Sequence, residues 1–268
     1  MPENDAAPGD RTPVLLDVTR SELLKLLTVR STYLTLAAAV VVTVGAAIGL
    51  CEAYVRHVAQ LSLTQLDFNP TSYSLSGILL AQLAVGALGV LAITSEHGTG
   101  MIRATFAAVP QRGTLLLAKA LAFTAVTLTV GELASFAAFG IGQLILAGNH
   151  AQTSFGSPGV LRAVIGAGLY LAVLGLLALA VGTLIRHSAG AIAALYGLLL
   201  VLPALTEGLP HPLQDAINPY LPGYAGQAIF HTTEDTHLLP PWQGFAVFTL
   251  YTATALTAAT VAIRHRDL

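Results

Sequence analysis

Residues 160–185 read VLRAVIGAGLYLAVLGLLALAVGTLI, a run whose only charge, Arg162, stands near its start. Crossing a hydrocarbon core of about 30 Å takes about 20 residues of α-helix at roughly 1.5 Å each, and this run is longer than that. Five more blocks of the same kind flank it, at 33–50, 74–94, 115–147, 189–205 and 245–263. The six blocks together carry one acid, Glu132. A buried soluble helix needs only an apolar stripe, so six such runs predict an all-α, multi-pass membrane protein with six transmembrane helices.

The composition agrees with this reading. Of 268 residues, 54% are hydrophobic and only 10% charged, outside the range of soluble domains. The net charge of −2 says less than where the charges fall. A single cysteine, Cys51, excludes an internal disulfide and a cysteine-built metal site. Six spans leave almost nothing for a soluble domain. The expected organisation is a disordered cytoplasmic tail at 1–13, polar and rich in proline and acids, followed by a single six-helix membrane domain at 14–268.

Basic residues orient the chain. With a cytoplasmic N-terminus, Arg11, Arg20, Lys25, Arg30, Arg103, Arg112, Lys119, Arg186, Arg264 and Arg266 fall inside, and only Arg56 and Arg162 fall outside. Short loops with that bias place both termini in the cytoplasm of a cell (plasma) membrane protein. Tyr33 marks an inner interface; Tyr54, Tyr73 and Trp242 mark outer ones. Lys25 and Arg30 before an apolar run also fit a signal peptide, but the run is too long for a signal core and no small-x-small site follows cleanly. The first helix is therefore expected to stay as a signal anchor.

From Val14 to Arg30, Asp17, Ser21, Lys25 and Thr28 form a polar stripe, with Leu15, Leu16, Leu23, Leu26 and Leu27 across much of the opposite face. Such a helix lies in the headgroup plane; the alternative is a cytoplasmic extension of the first span. Further on, Gly98 and Gly100 break the second span, while Pro110 and Gly113 allow a turn into the third. Between them 99–109 can form a short helix carrying Met101, Ile102 and Phe106 beside Arg103, suited to docking a cytosolic partner or serving as a solvated connector.

Glu132 lies about 20 Å along the third span from Lys119, close to the midplane. An ionised acid there costs at least roughly 2.5–3.5 kcal/mol unless paired, hydrated or protonated. It is a candidate for the translocation path together with Gln82 and Gln143, or a packing residue hydrogen-bonded through one of those glutamines. Gly45-x-x-x-Gly49 on the first span, with Ala134, Ala138 and Gly142 on the third, permits close helix packing.

Residues 206–243 form the longest loop, with Pro210, Pro212, Pro219, Pro222, Pro240 and Pro241. Short helices are expected at 215–219 and 224–230. The fifth span is expected to end at Pro203, after which the chain can dip back toward the outer leaflet. His231, Glu234, Asp235 and His237 are metal-ligand types without a preformed geometry, and no metal site is expected there.

The segments SELLKLLTVRSTYLTL, GILLAQLAVGALGVLAITSEHGTGMIRATFAAVP and VLRAVIGAGLYLAVLGLLALAVGTLIRHSAGAIAALYGLLLVLP, with NPYLPGYAGQAIF and the closing RHRDL, resemble the six-helix permease subunits of type-2 ABC exporters, especially actinobacterial ones. The resemblance runs over residues 21–268. It implies a transmembrane permease that forms an export path, with re-entrant outer helices before the last span. It also implies a cytoplasmic coupling helix at the first inner loop, to which Glu96, Gly98, Gly100, Met101, Ile102 and Arg103 would belong. The chain holds no G-x-x-x-x-G-K-[ST] phosphate cradle, so it is not expected to be an enzyme. No cofactor is expected in this chain, because ATP and magnesium would be bound by a separate nucleotide-binding ATPase subunit. The implied assembly is two such subunits with two permeases, as a homodimer or with a sister permease, in the lipid bilayer and without nucleic acid. The alternative is a secondary carrier or a membrane-embedded enzyme using Glu132, although nothing resembles H-E-x-x-H or G-x-S-x-G.

Overall fold

Each apolar block of the sequence becomes a helix because a backbone removed from water must satisfy its hydrogen bonds within its own segment. The computed structural model describes residues 15–61, 68–98, 112–232 and 238–265, and among these there is no strand. The tail at 1–13 lies outside the described residues. So do the inner-loop helix expected at 99–109, with Gly100, Met101, Ile102 and Arg103, and the residues Glu234, Asp235 and His237.

Six helical stretches are long and apolar enough to cross a membrane: Arg30–Arg56, Pro70–Glu96, Gly113–Ala147, Val160–Ile185, Ser188–Thr206 and Pro241–Ile263. They coincide with the six blocks read from the sequence. In chain order the helices are α1 (Leu15–Thr28), α2 (Arg30–Leu61), α3 (Pro70–Leu75), α4 (Ile78–Gly98), α5 (Arg112–Ala147) and α6 (Val160–Ile185). Then come α7 (Ser188–Tyr196), α8 (Leu202–Thr206), α9 (His211–Ile217), α10 (Pro222–Gln227) and α11 (Pro241–His265).

Local chemistry sets several ends. The Asn69 side chain accepts from the backbone N–H groups of Thr71 and Ser72 at 3.0 and 3.1 Å, and Pro70 follows it in the first turn of α3. Arg186 closes α6 in the left-handed region at φ 62°, with its N–H bonded to the Gly182 carbonyl. His187 then caps α7 by accepting from Gly190 N–H, so only two residues join the fourth span to the fifth. The fifth span does not stop at Pro203. A π-turn at Gly197–Val201 carries the chain into α8, with Pro203 buried in its first turn, where a missing N–H is tolerated.

The fourth span is the axis of the bundle. Its most apolar window is 72% buried, against 28%, 28% and 22% for the first, fifth and sixth spans, which are therefore peripheral. It packs against the third, second and sixth spans through a core that includes Tyr170, Leu171, Leu174 and Phe248. Close approach is made possible by glycine: a Cβ at Gly175 would stand 2.6 Å from the Phe123 ring, and one at Gly182 would stand 2.9 Å from Ile93. Gly142 on α5 packs in the same way against Ser74 and Cys51. The Gly45 and Gly49 positions face open space, so that pair does not pack within this chain.

Candidate functional site

At the end of the bundle where the second span leads toward the third, four charged side chains converge. Lys119 Nζ donates to Glu22 Oε2 at 2.6 Å and to Glu96 Oε1 at 2.8 Å. Lys25 Nζ donates to Glu22 Oε1 at 2.5 Å and stands 3.7 Å from Glu96 Oε1. Glu22 and Lys119 are buried, with side chains 3% and 5% exposed, so this is an interior ion cluster rather than a surface pair. Both lysines of the chain are in it.

The cluster ties three elements together. Glu22 and Lys25 come from α1, Glu96 from the last turns of α4, and Lys119 from the third turn of α5. The buried face of α1 is thus Val18 and Glu22, which lie against the start of α5, where Val18 packs with Leu115 and Ala118. The division into a polar stripe and a leucine face holds in part: Asp17, Ser21 and Thr28 are exposed and Leu15, Leu23 and Leu26 pack against the bundle, but Lys25 reaches its acidic partners and Leu16 and Leu27 are exposed.

Burial pushes the Glu22 carboxyl up, yet the Lys119 charge and the hydrogen bonds from Lys119 and Lys25 outweigh it and hold the group below its ordinary value. For Lys25, burial pushes the ammonium down. The hydrogen bond and charge of Glu22, helped by Glu96, hold it above its ordinary value instead. Glu96 Oε2 is buried and has no hydrogen-bond partner among the described residues. Two residues further on, α4 ends at Gly98. Of the expected coupling residues, the structure therefore describes Glu96 and the Gly98 backbone.

Glu132 sits in the middle of the third span, Gly113–Ala147. Its carboxyl lies over Gly168 of α6, where a Cβ would come within 2.5 Å of Glu132 Cδ, and Gly131 beside it approaches the Gly168 backbone. Oε2 is buried without a hydrogen-bond partner among the described residues. Neither glutamine supplies one. Gln82 is buried and accepts from Tyr170 Oη at 2.5 Å. Gln143 donates to Ser74 Oγ at 3.0 Å and accepts from Thr153 N–H at 2.7 Å. These two side chains join helices and a loop, and the structure does not gather them around Glu132.

The described part of the long connection between the fifth and sixth spans folds back onto the bundle. Helix α9 begins at His211, ahead of the expected 215, because Pro212 suits its first turn. Helix α10 and the 3₁₀ turn Ala228–Phe230 bury Gly223, Ala225, Gly226, Ile229 and Phe230 between the fourth, fifth and sixth spans. Gly226 leaves room for Tyr170 and Phe248, Gly223 for the Leu199 carbonyl, and Gly166 for Ile229. Arg162, read from the sequence only as an outside charge, donates to the Ile229 and His231 carbonyls, each at 2.9 Å. Asn69 donates to Thr232 Oγ1 at 2.6 Å and ties the same segment to the start of α3.

Glu22 and Arg162 were not singled out by their residue types. Lys119 carried a signal: an ammonium inside LLLAKALAF needs a buried partner. Among the described residues no group of three or more histidines, cysteines and acids is placed to hold a metal. Compared with models of known protein families and with curated proteins, the chain matches none.

Proposed function

We propose that this chain is the permease subunit of an ATP-driven exporter, coupled to a separate ATPase subunit that binds ATP and magnesium. The observation that supports it is the ion cluster at Glu96. The residue stands where the second span enters the first inner loop, and its carboxylate is bonded to the third span and adjoins α1. A push on that loop, delivered by a partner, moves three helices together, because breaking a buried ion pair costs about 3–5 kcal/mol.

In this reading α1 lies along the cytoplasmic headgroups with Leu16, Leu24 and Leu27 toward lipid. The loop after Gly98 docks on the ATPase through Met101, Ile102 and Arg103. The 221–230 segment re-enters from the outer side and caps the path. The resemblance of residues 21–268 to type-2 exporter permeases supports the same assignment, with a second permease copy or a sister permease completing the complex.

The test is affinity purification of the tagged chain from its native host in mild detergent. A subunit carrying a P-loop should co-purify, and Arg103→Glu should reduce its recovery while leaving the permease intact. Absence of any ATPase from the parent preparation would sink the proposal.

A further inference from the structure

We propose that the face of α5 around Glu132 is a recognition site for an amphipathic organic cation; calling that cation the exported substrate rests on the permease reading above. The starting observation is an electrostatic imbalance. Glu22 and Glu96 are paired with lysines, and Glu52 is paired with Arg56 at 2.6 Å. Glu132 has no basic side chain within ion-pair distance among the described residues, and its Oε2 accepts no hydrogen bond there.

Nearby donors are committed to other acceptors. Thr129 Oγ1 donates to the Ala125 carbonyl and Ser135 Oγ to the Glu132 carbonyl. The carboxyl is lodged against the Gly168 backbone, which has no side chain to offer. A negative charge held in apolar surroundings without a donor is stabilised most by a cation that arrives with its own apolar body.

The surroundings fit such a body. Glu132 is half-buried, so part of its side chain is reachable from the face of α5. One helical turn along lies Phe136, a neighbour of Glu132 on the same face and 40% exposed. Its ring centroid is 5.9 Å from that of Phe155, which lies 4.7 Å from that of Phe139. Leu133 and Ile165 are exposed along the same stretch of α5 and α6. A carboxylate one turn from the exposed Phe136 ring pairs charge with a ring face, the combination that binds delocalised cations. Neutral apolar molecules gain only the second half of it.

The test is equilibrium dialysis of tetraphenylphosphonium against the purified full chain in phosphatidylcholine nanodiscs, with empty nanodiscs as the partition control. Saturable binding is expected. Glu132→Gln should weaken it at least about tenfold, as loss of a charged partner in a dry site does. Glu132→Asp should fall between the two. Triphenylphosphine oxide, which is uncharged, should show no dependence on residue 132. Phe136→Ala changes an exposed ring and should weaken the cation by roughly threefold. If Glu132→Gln does not fold, the Phe136→Ala result decides. Absence of saturable binding to the parent, or unchanged affinity in the variants, overturns the site; so does a Glu132→Gln effect confined to permease self-association, which would assign the carboxylate to a partner subunit. Because the assay needs no ATPase, its failure leaves the exporter reading standing, and failure to recover an ATPase leaves the cation site standing.

Discussion

The Lys119 ammonium lies 2.6 Å from the Glu22 carboxylate although 97 residues separate the two in sequence. Around this pair the N-terminal helix, the end of the second span and the start of the third become one unit. Lys119→Met should leave Glu22 and Glu96 sharing only Lys25, and should lower unfolding stability by about 3–5 kcal/mol. Lys119→Arg should lose much less, since the charge remains. Thermal unfolding of the two variants in detergent checks this; equal losses would mean that packing around position 119, not its charge, is what matters.

Acid should act on the same cluster in a defined direction. Glu22 is held below its ordinary value, so its contribution is complete above about pH 4.3 and is lost as pH falls through the lower, folded-state value. Lys25 is held above its ordinary value, so its contribution persists until alkaline pH rises through that raised value. Glu22→Gln should therefore be clearly less stable than the parent at pH 7, and the gap should close toward pH 3. A gap of the same size at both pH values would contradict the ion-pair account.

Two glycines in the first two spans should respond oppositely to alanine. A Cβ at Gly77 would stand 2.4 Å from the Thr43 carbonyl oxygen and 2.5 Å from its Cα, which are backbone atoms that cannot step aside. Gly77→Ala should cost about 1–3 kcal/mol by overpacking. At Gly45 nothing lies within 4 Å, so Gly45→Ala should leave the melting temperature of the isolated chain unchanged or slightly raised. If Gly45→Ala lowers the yield of a permease dimer without lowering that melting temperature, the Gly45–Gly49 face is where subunits meet.

The bias of the basic residues predicts sidedness, and that expectation is open to direct measurement. With Cys51 replaced, cysteines introduced at Gln152 and Glu234 should react with a membrane-impermeant reagent in intact cells. Those at Gly113 and Ser188 should react only after permeabilisation. Protection at Glu234 would overturn the proposed orientation.

The number and position of the membrane-length helices were legible in the chain because transfer into an apolar medium is close to a sum over local residues. Other features were not. The inward turn of Glu22, the clamp of Arg162 on the 229–231 carbonyls and the bond of Gln82 to Tyr170 depend on how each helix is rotated about its axis. Composition does not encode that rotation.

Glu132 shows where the boundary lies. Its depth could be read from helical rise alone, which made it a candidate from the outset. Its isolation could not: Gln82 and Gln143 were equally plausible partners until the packing gave each of them another. Residue order determined which segments leave water, a property each segment has separately. The arrangement of those segments around α6 determined which charges found a counter-charge among the described residues, because a pair exists only where two helices bring both groups to the same depth and face.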